Sequence, residues 1–420
     1  MQIAILGGGV SGLTSAYYLA KKNHQITIFE KEKVLGGLAA GFKTGNWNWY
    51  LERTYHHLFA NDNDIINFAK EIGFDKIFFK EPVTASLFTD HGSYKILPLD
   101  TPLDFLRFPY LNIIDKLRAG IMIAFLKLSP FLAIYEKQTS KEFLKVTMGK
   151  NVWNILWQQL FRGKYGDYAG NILASFIWAR IKKRTKKLGY VEGGFQILIN
   201  YIVDKLKKLR VNVLTGYEIE SIKKQGNKFI INNTLYDVVI STLPTPILTK
   251  VARPVLPKNY LDKLSKIEYL HALTLILETD QPIFDKTYWL NISTKTIPIM
   301  GIVQHTNFID KKYYGGKHLA YLGWYLKRED RLMQMKDREL LNYVLPYLET
   351  IANGKLKIEN YFVFKAPFAQ PIFDREFVKN KPDFITPVKN FFISNLDMTY
   401  PYDRGTNYAV KLGKDVTKII

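Results

Sequence analysis

The 420-residue chain contains no cysteine. That excludes disulfides, thiolate zinc sites, a cysteine nucleophile and a flavin tethered through a Cys thioether. Acidic side chains are few, 38 against 59 basic ones, which leaves a net charge of +21. A surplus of this size raises nucleic acid or an anionic membrane as partners. No nucleic-acid motif accompanies it. The basic runs Lys182-Lys183-Arg184-Thr185-Lys186-Lys187 and Lys205 to Arg210 read as solvated faces. The abundance of Lys, Ile, Asn, Tyr and Phe is that of an AT-rich coding sequence. No nucleic-acid partner is therefore expected. Long hydrophobic runs are missing as well. The strongest, Ala119 to Ile134, is interrupted by Lys127 and Pro130 and falls short of the roughly 20 residues of a spanning helix. The wider segment Phe105 to Tyr135 mixes Phe, Leu and Ile with Arg107, Lys116, Arg118 and Lys127. It is read as a buried helix pair. A face lying in a membrane interface or over a greasy substrate channel stays open as the second reading. No secretory leader is expected, since the sequence opens directly on a strand pattern that includes Met1 in the fold, and a cytoplasmic location is the simplest expectation, with membrane association as an extension. His91, His271, His305 and His318 are isolated, and no metal site is expected.

With 47% hydrophobic and 23% charged residues, the chain is globular and long enough for two or three domains. Its most informative stretch is the first. Ile3 to Leu6 reads as a buried parallel strand, followed at once by Gly7-x-Gly9-x-x-Gly12. Leu13 to Lys22 then reads as a helix, with Ser11 near its start, and Gln25 to Phe29 as a second strand ending at Glu30. Each part has a physical role in dinucleotide binding. Gly7 permits the turn, Gly9 lets a pyrophosphate approach the backbone, and Gly12 lets helix and strand pack closely. The helix N-terminus offers free N–H groups to phosphate, and an acid closing the second strand accepts from a ribose diol. Glu30 follows Gly7 by 23 residues, against the roughly 20 expected.

Further along, residues 61–190 read mostly as helices, including one from Phe143 to Leu160 with Thr139 or Ser140 as cap and Glu142 nearby. Residues 193–245 return to α/β. A helix is expected over Phe195 to Leu209, and strands over Val211 to Leu214, Glu218 to Lys223, Lys228 to Ile231 and Val238 to Thr242. Residues 246–370 read as mixed sheet and helix, with strands at Ala272 to Glu278, Ile297 to Gln304 and Leu319 to Tyr325. A strand at Phe391 to Ser394 and a closing helix from about Thr406 complete the chain. There is no internal repeat and no low-complexity linker, so the domains are expected to interleave.

Leu35-Gly36-Gly37-Leu38 and Glu52-Arg53-Thr54-Tyr55-His56-His57 add to the opening pattern. Together they resemble the FAD-dependent amine oxidase and protoporphyrinogen oxidase superfamily, which includes phytoene desaturase-like proteins. In that pattern a Gly-x-Gly-x-x-Gly is followed by an acid, Gly-Gly-Arg and Asp-x-Gly-x-His. Here Leu38 replaces the Arg, and Glu52, Thr54 and His56 occupy the last slots. The likeness continues at Tyr190-x-x-Gly193-Gly194, at Ile219 in the adenine slot, at Thr242-x-Pro244, and at Ser394-Asn395, which replaces a Gly-Asp. Thr406 and Asn407 would start a helix aimed at flavin N1 and O2. The resemblance implies noncovalent FAD held by Gly7, Gly9, Ser11, Gly12, Glu30, Lys31, Gly36, Gly37, Leu38, Thr54, Ile219, Thr242, Asn395, Arg404, Thr406 and Asn407. It implies an α/β fold (α+β overall): a discontinuous Rossmann-like FAD-binding domain over residues 1–60, 190–245 and 390–420, interleaved with a substrate domain whose helical part is 61–189 and sheet part 246–389.

No second nucleotide fingerprint is present, which favours re-oxidation by oxygen or a quinone over a built-in NADPH domain. The expected reaction is oxidation of an apolar or amphipathic small molecule by hydride transfer to flavin N5. UDP-galactopyranose mutases are also resembled, through Tyr55-His-His-Leu-Phe59 and Lys164-Tyr165-Gly166. They imply a flavin-dependent sugar isomerisation with Arg162, Arg180 and Arg404 as candidate diphosphate clamps. A non-catalytic flavin-binding role is the third reading. His56, His57 and Arg404 are the catalytic candidates, the two histidines as flavin or substrate contacts; alternatively one histidine caps a carbonyl and the other is packed. Asp403-Arg404-Gly405 reads as a charge pair closing the site or as a surface turn. Trp289, Tyr321, Trp324, Tyr325 and Tyr361 read as pocket wall or as core.

Overall fold

A computed structural model describes residues 1–420. Five parallel strands form the first sheet, in the order Asn212–Thr215, Gln25–Glu30, Gln2–Leu6, Val238–Ser241 and Phe391–Ile393. Strand alternation sends their apolar side chains to two different cores. Ile3, Ile5, Ile26 and Ile28 meet the helices Val10–Lys21, Phe195–Lys208 and Thr406–Val416. Ala4, Leu6 and Phe29 meet a three-stranded meander (Lys223–Gln225, Lys228–Ile231, Thr234–Tyr236) and the helix Thr245–Val251. Ile3 to Leu6 are each fully buried, as a strand covered on both faces requires.

The second large sheet has seven strands, in the order Ile358–Pro371, Tyr269–Thr279, His318–Leu326, Gly301–Gln304, Thr287–Ile292, Val83–Asp90 and Ser93–Pro98. The helix Asp337–Ala352 covers one face through Leu340, Leu341, Val344 and Leu348. The other face turns toward the core built on the five-stranded sheet and toward the helices of residues 102–183.

Several expected elements differ. Residues 61–190 contain the strands Ile77–Lys80, Val83–Asp90 and Ser93–Pro98 beside their helices; Val83–Asp90 forms a hairpin with Ser93–Pro98 through a two-residue turn at His91-Gly92 and pairs on its other edge with Thr287–Ile292. The expected helix Phe143–Leu160 is two. Ser140–Thr147 ends before Gly149, whose φ of +102° cannot continue a helix, and the chain resumes at Lys150 through a wide turn at Trp153–Trp157. Thr139 caps the first of them in a reciprocal box with Glu142. Residues 218–222 form no strand, and Pro298 sits in a loop, so that strand begins only at Gly301.

The segment Pro102–Ile134 is not a buried pair. In the helix Ile113–Leu128 only Ala119 and Leu126 are buried. Leu128 is 80% exposed, Ile114 72% and Ile121 71%. No helix is long and apolar enough to cross a membrane.

Candidate active site

The three opening glycines meet different surroundings. Gly7 has φ +106°, and a Cβ there would lie 2.5 Å from Thr242 Oγ1; a Cβ on Gly12 would lie 2.1 Å from Gly7 O. A Cβ on Gly9 would meet nothing closer than Gly37 Cα at 3.9 Å. Gly7 and Gly12 are thus required by the fold, whereas Gly9 leaves free space over the turn. Gly9 is also the N-cap of Val10–Lys21 and provides no side-chain cap, so the first N–H groups stay available. Gly36 N–H donates to Gly8 O (2.9 Å), which lays the second glycine turn along the first. Glu30 accepts from the N–H groups of Gly8 (2.7 Å) and Glu32 (2.9 Å), so its carboxylate sits at the turn. At the opposite end the helix Thr406–Val416 begins at Gly405, again with no side-chain cap. These uncapped termini, the open space at Gly9 and the buried, unpartnered Ser241 Oγ and Arg53 Nε fit a dinucleotide with a polar chain between its ends.

Other expected residues have their side chains engaged within the protein. Ser11 Oγ donates to Ser394 O (3.0 Å), and Thr242 Oγ1 donates to Leu6 O (2.9 Å). Asn395 Nδ2 donates to Leu243 O (3.1 Å) and Thr245 Oγ1 (2.9 Å). Asn407 accepts from Ile65 N–H and donates to Asp64, both at 3.2 Å. Thr54 Oγ1 donates to Leu38 O (3.1 Å). Thr406 lines a small apolar crevice with Val10 and Ala39. Ile219 is half-buried in a loop, packed against the cluster containing Phe29. Lys31 is exposed, 3.9 Å from Glu32.

Glu52 is fully buried. It accepts from Tyr190 OH (2.6 Å) and Phe195 N–H (2.7 Å), while its own carbonyl accepts from Tyr321 OH (2.8 Å). Burial pushes its carboxyl up to about 7, against those hydrogen bonds. It therefore ties its own short strand to Tyr190 and to the start of the helix Phe195–Lys208, with Tyr321 of the seven-stranded sheet on its carbonyl. Next to it, Arg53 N–H donates to Ala40 O (3.1 Å), and its guanidinium lies 5.8 Å from the Phe364 ring. A cation thus stands close to the turn where Leu38 replaces the expected Arg.

His56 Nδ1 donates to Thr54 O (2.7 Å), which leaves Nε2 as an acceptor. Burial lowers its pKa to about 4. His57 falls to about 3 through burial, then His56, Arg184 and Arg180. Both imidazoles are neutral at ordinary pH. Trp289 meets His57 (6.1 Å) and Tyr55 (4.7 Å) edge-on. Arg404 lies 5.0 Å above the Tyr325 ring and Lys164 5.5 Å from it. Lys164 pairs with Asp403, which also faces Arg180 at 3.5 Å. The expected Asp403–Arg404 closing pair is therefore replaced by Asp403 with Lys164 and Arg180. Arg162 lies apart, in a polar cleft with Lys141 and Gln158. Burial brings Lys164 down to about 8, against the pull of Asp403. Of the five aromatics, Trp289, Tyr321 and Tyr325 face this site; Trp324 and Tyr361 pack on the far face of the sheet.

A profile of the family described as flavin containing amine oxidoreductase matches residues 10–366. The chain belongs to that family. It is a flavin-dependent oxidoreductase. Among curated proteins, the 15-cis-phytoene desaturase of Solanum lycopersicum is 32% identical over 138 residues, which span 33% of this chain and 22% of that one. The Glycine max 15-cis-phytoene desaturase is 21% identical over 416 residues, covering 87% of this chain and 70% of the other. A solved structure described as a protoporphyrinogen oxidase from Exiguobacterium sp. 255-15 superposes with a TM-score of 0.77 at 17% identity, covering 100% of this chain and 98% of that one. Cyclohexylamine oxidase from Brevibacterium oxydans gives 0.73 at 11% identity, with 100% and 98% covered. At these identities the solved structures establish the fold.

Proposed function

We propose that the chain holds FAD noncovalently and oxidises an apolar or amphipathic small molecule by hydride transfer to flavin N5, with oxygen or a quinone as the final acceptor. Bound FAD supplies the two-electron acceptor. The observation that carries the reading is the pairing of two uncapped helix N-termini and the Gly9–Gly37 approach with an aromatic wall of Tyr55, Trp289 and Tyr325. Glu30 is placed for the ribose, Gly9 and the Val10 helix for the pyrophosphate, and the Thr406 helix for negative charge on the ring. On the substrate side His56 and His57 are held neutral, so the positive charge there comes from Arg404 and Lys164. Arg404 orients the substrate, and Lys164 Nζ, lowered to about 8 by burial, is an ammonium at neutral pH that Asp403 holds beside Tyr325. The exposed apolar face of Ile113–Leu128 supports peripheral contact with a membrane.

The Arg180 and Arg404 positions beside Asp403 and Tyr325 favour one second reading, the mutase-like isomerisation, which needs reduced flavin. Anaerobic mixing with a long-chain alcohol, amine and phosphate ester separates the two. Loss of the yellow flavin absorbance with one of them, restored by oxygen or quinone, is the expected result. No bleaching, with turnover of a nucleotide sugar only after dithionite reduction, would establish the isomerase instead.

A further inference from the structure

One row of the seven-stranded sheet is bare where its neighbour is bulky. Asn291, Gly301, Gly323, Thr274 and Phe364 lie opposite one another across five strands, on the face that carries Trp289, Tyr321 and Tyr325. The next row on that face is Trp289, Val303, Tyr321, Ile276 and Phe362. Glycine inside a strand weakens it and marks the close approach of another group. The paired Gly301 and Gly323 leave a trough one residue wide and about 10 Å long across the strands, at roughly 4.8 Å per strand. Over Gly323 two side chains converge: a Cβ there would lie 3.3 Å from Tyr55 Cε1 and 3.7 Å from Met300 Cε. Over Gly301 the floor is open. Apart from the residues adjoining it in the chain, the nearest atom to a Cβ there is Leu290 O, at 3.4 Å.

Met300 closes one side of this trough. A Cβ on Gly163 would lie 3.6 Å from Met300 Cγ and 3.8 Å from its Cα, in ordinary contact. The thioether side chain thus bridges from the helix Gln158–Tyr165 to the strand His318–Leu326, with a glycine at each end. Its tip shares the space over Gly323 with Tyr55, whose ring meets Trp289 at 4.7 Å. Lys164, next to Gly163, and Arg404 stand at the ring of Tyr325, two residues beyond Gly323. The cations therefore mark one end of the space, and none of the five residues in the bare row is charged. A thioether is unbranched, flexible and favours aromatic edges, so it forms an adjustable stop where a branched side chain would form a fixed wall.

We propose that the apolar end of the substrate is an unbranched chain that lies over Gly301 and Gly323 and ends against Met300, which sets the chain length the site accepts. That the trough holds a substrate rests on the proposed oxidation at the aromatic wall; that Met300 limits chain length in it does not. The test is calorimetric titration of the flavin-loaded protein with 1-alkanols from butanol to decanol, with the flavin absorbance followed in each and thermal melts of every variant. Wild-type affinity is expected to rise about fourfold per methylene and to stop rising at one chain length. M300A moves that stop about three carbons further, in line with the Cγ, Sδ and Cε atoms it removes, whereas M300L, of similar volume, leaves it in place. M300V removes less volume and moves the stop by less, and it serves where M300A melts early. A folded M300A or M300V with an unchanged stop, a loss of affinity equal at every chain length, or a wild-type series with no binding or no stop overturns the assignment. A Met300-dependent stop with no change in flavin absorbance would remove the substrate reading while leaving the length limit standing.

Discussion

Gly12 and Gly9 differ in what a single methyl would do. At Gly12 it collides with the Gly7 carbonyl, and at Gly9 it enters open space. G12A is therefore expected to lower the melting temperature and lose flavin together, whereas G9V keeps the melting temperature and loses flavin affinity by at least about tenfold, roughly 1.4 kcal/mol. Flavin-to-protein ratio and a thermal melt check both; equal melting losses in the two variants would contradict the assignment. Glu52 gives a pH signature. Its carboxyl moves from an ordinary 4.5 to about 7 by burial. Between those values the folded chain keeps a proton that the unfolded chain has released. This group's contribution is therefore full below pH 4.5 and is lost as pH rises through 7, to an extent of order 3 kcal/mol. E52Q should melt close to wild type at pH 4.5 and progressively above it towards pH 8; a pH-independent difference would show that the carboxyl ionises normally. His56 and His57 act in the opposite sense. Their lowered values, about 4 and about 3, leave stability intact above pH 6.5 and reduce it on acidification. The glycines and Glu30 could be read from spacing alone because their role lies in the local turn. Lys164 was legible only as part of a motif, Asp403 only as half of a closing pair and Arg184 only as part of a solvated run, since the pairings of Lys164 and Arg180 with Asp403 and of Arg184 with Asp100 join residues distant in sequence.

At the level of elements, local chemistry was legible where it closes on itself. The opening βαβ unit, the Thr139–Glu142 box and the Thr406 helix each carry their signal within a few residues. The strand Val83–Asp90 does so only in part: its hairpin with Ser93–Pro98 turns on His91-Gly92, while its other edge pairs with Thr287–Ile292, far along the chain. The aromatic set had no single role to read. Period-two alternation in His318–Leu326 sends Tyr321 and Tyr325 toward the site and Trp324 away from it. Asp403 joins the loop before the last helix to the helices bearing Lys164 and Arg180. Removing it strands a buried ammonium among Tyr165, Phe176 and Tyr325. D403N is expected to cost roughly 1–3 kcal/mol, and K164M/D403N to recover most of that loss. A double-mutant cycle by urea unfolding measures it; additive losses would mean the pair is not coupled.

Across the whole molecule, Glu52 joins Tyr190 and the Phe195 helix to Tyr321 of the seven-stranded sheet, and the helix Ile113–Leu128 presents an apolar face alongside Lys116, Arg118 and Lys127. That face together with the +21 charge is the ground for the proposed peripheral binding. Sedimentation with vesicles containing anionic lipid should carry the protein down, more weakly at high salt. The I121E/F125E variant should remain in the supernatant; its co-sedimentation at wild-type levels would remove the face from the interaction. The cofactor is the claim on which the rest depends. It is tested most directly by denaturing the purified protein and identifying what is released by liquid chromatography and mass spectrometry. The expected result is about one FAD per chain, freed without proteolysis. Release of no flavin, or of FMN, or a flavin that stays attached to the denatured chain, would contradict it.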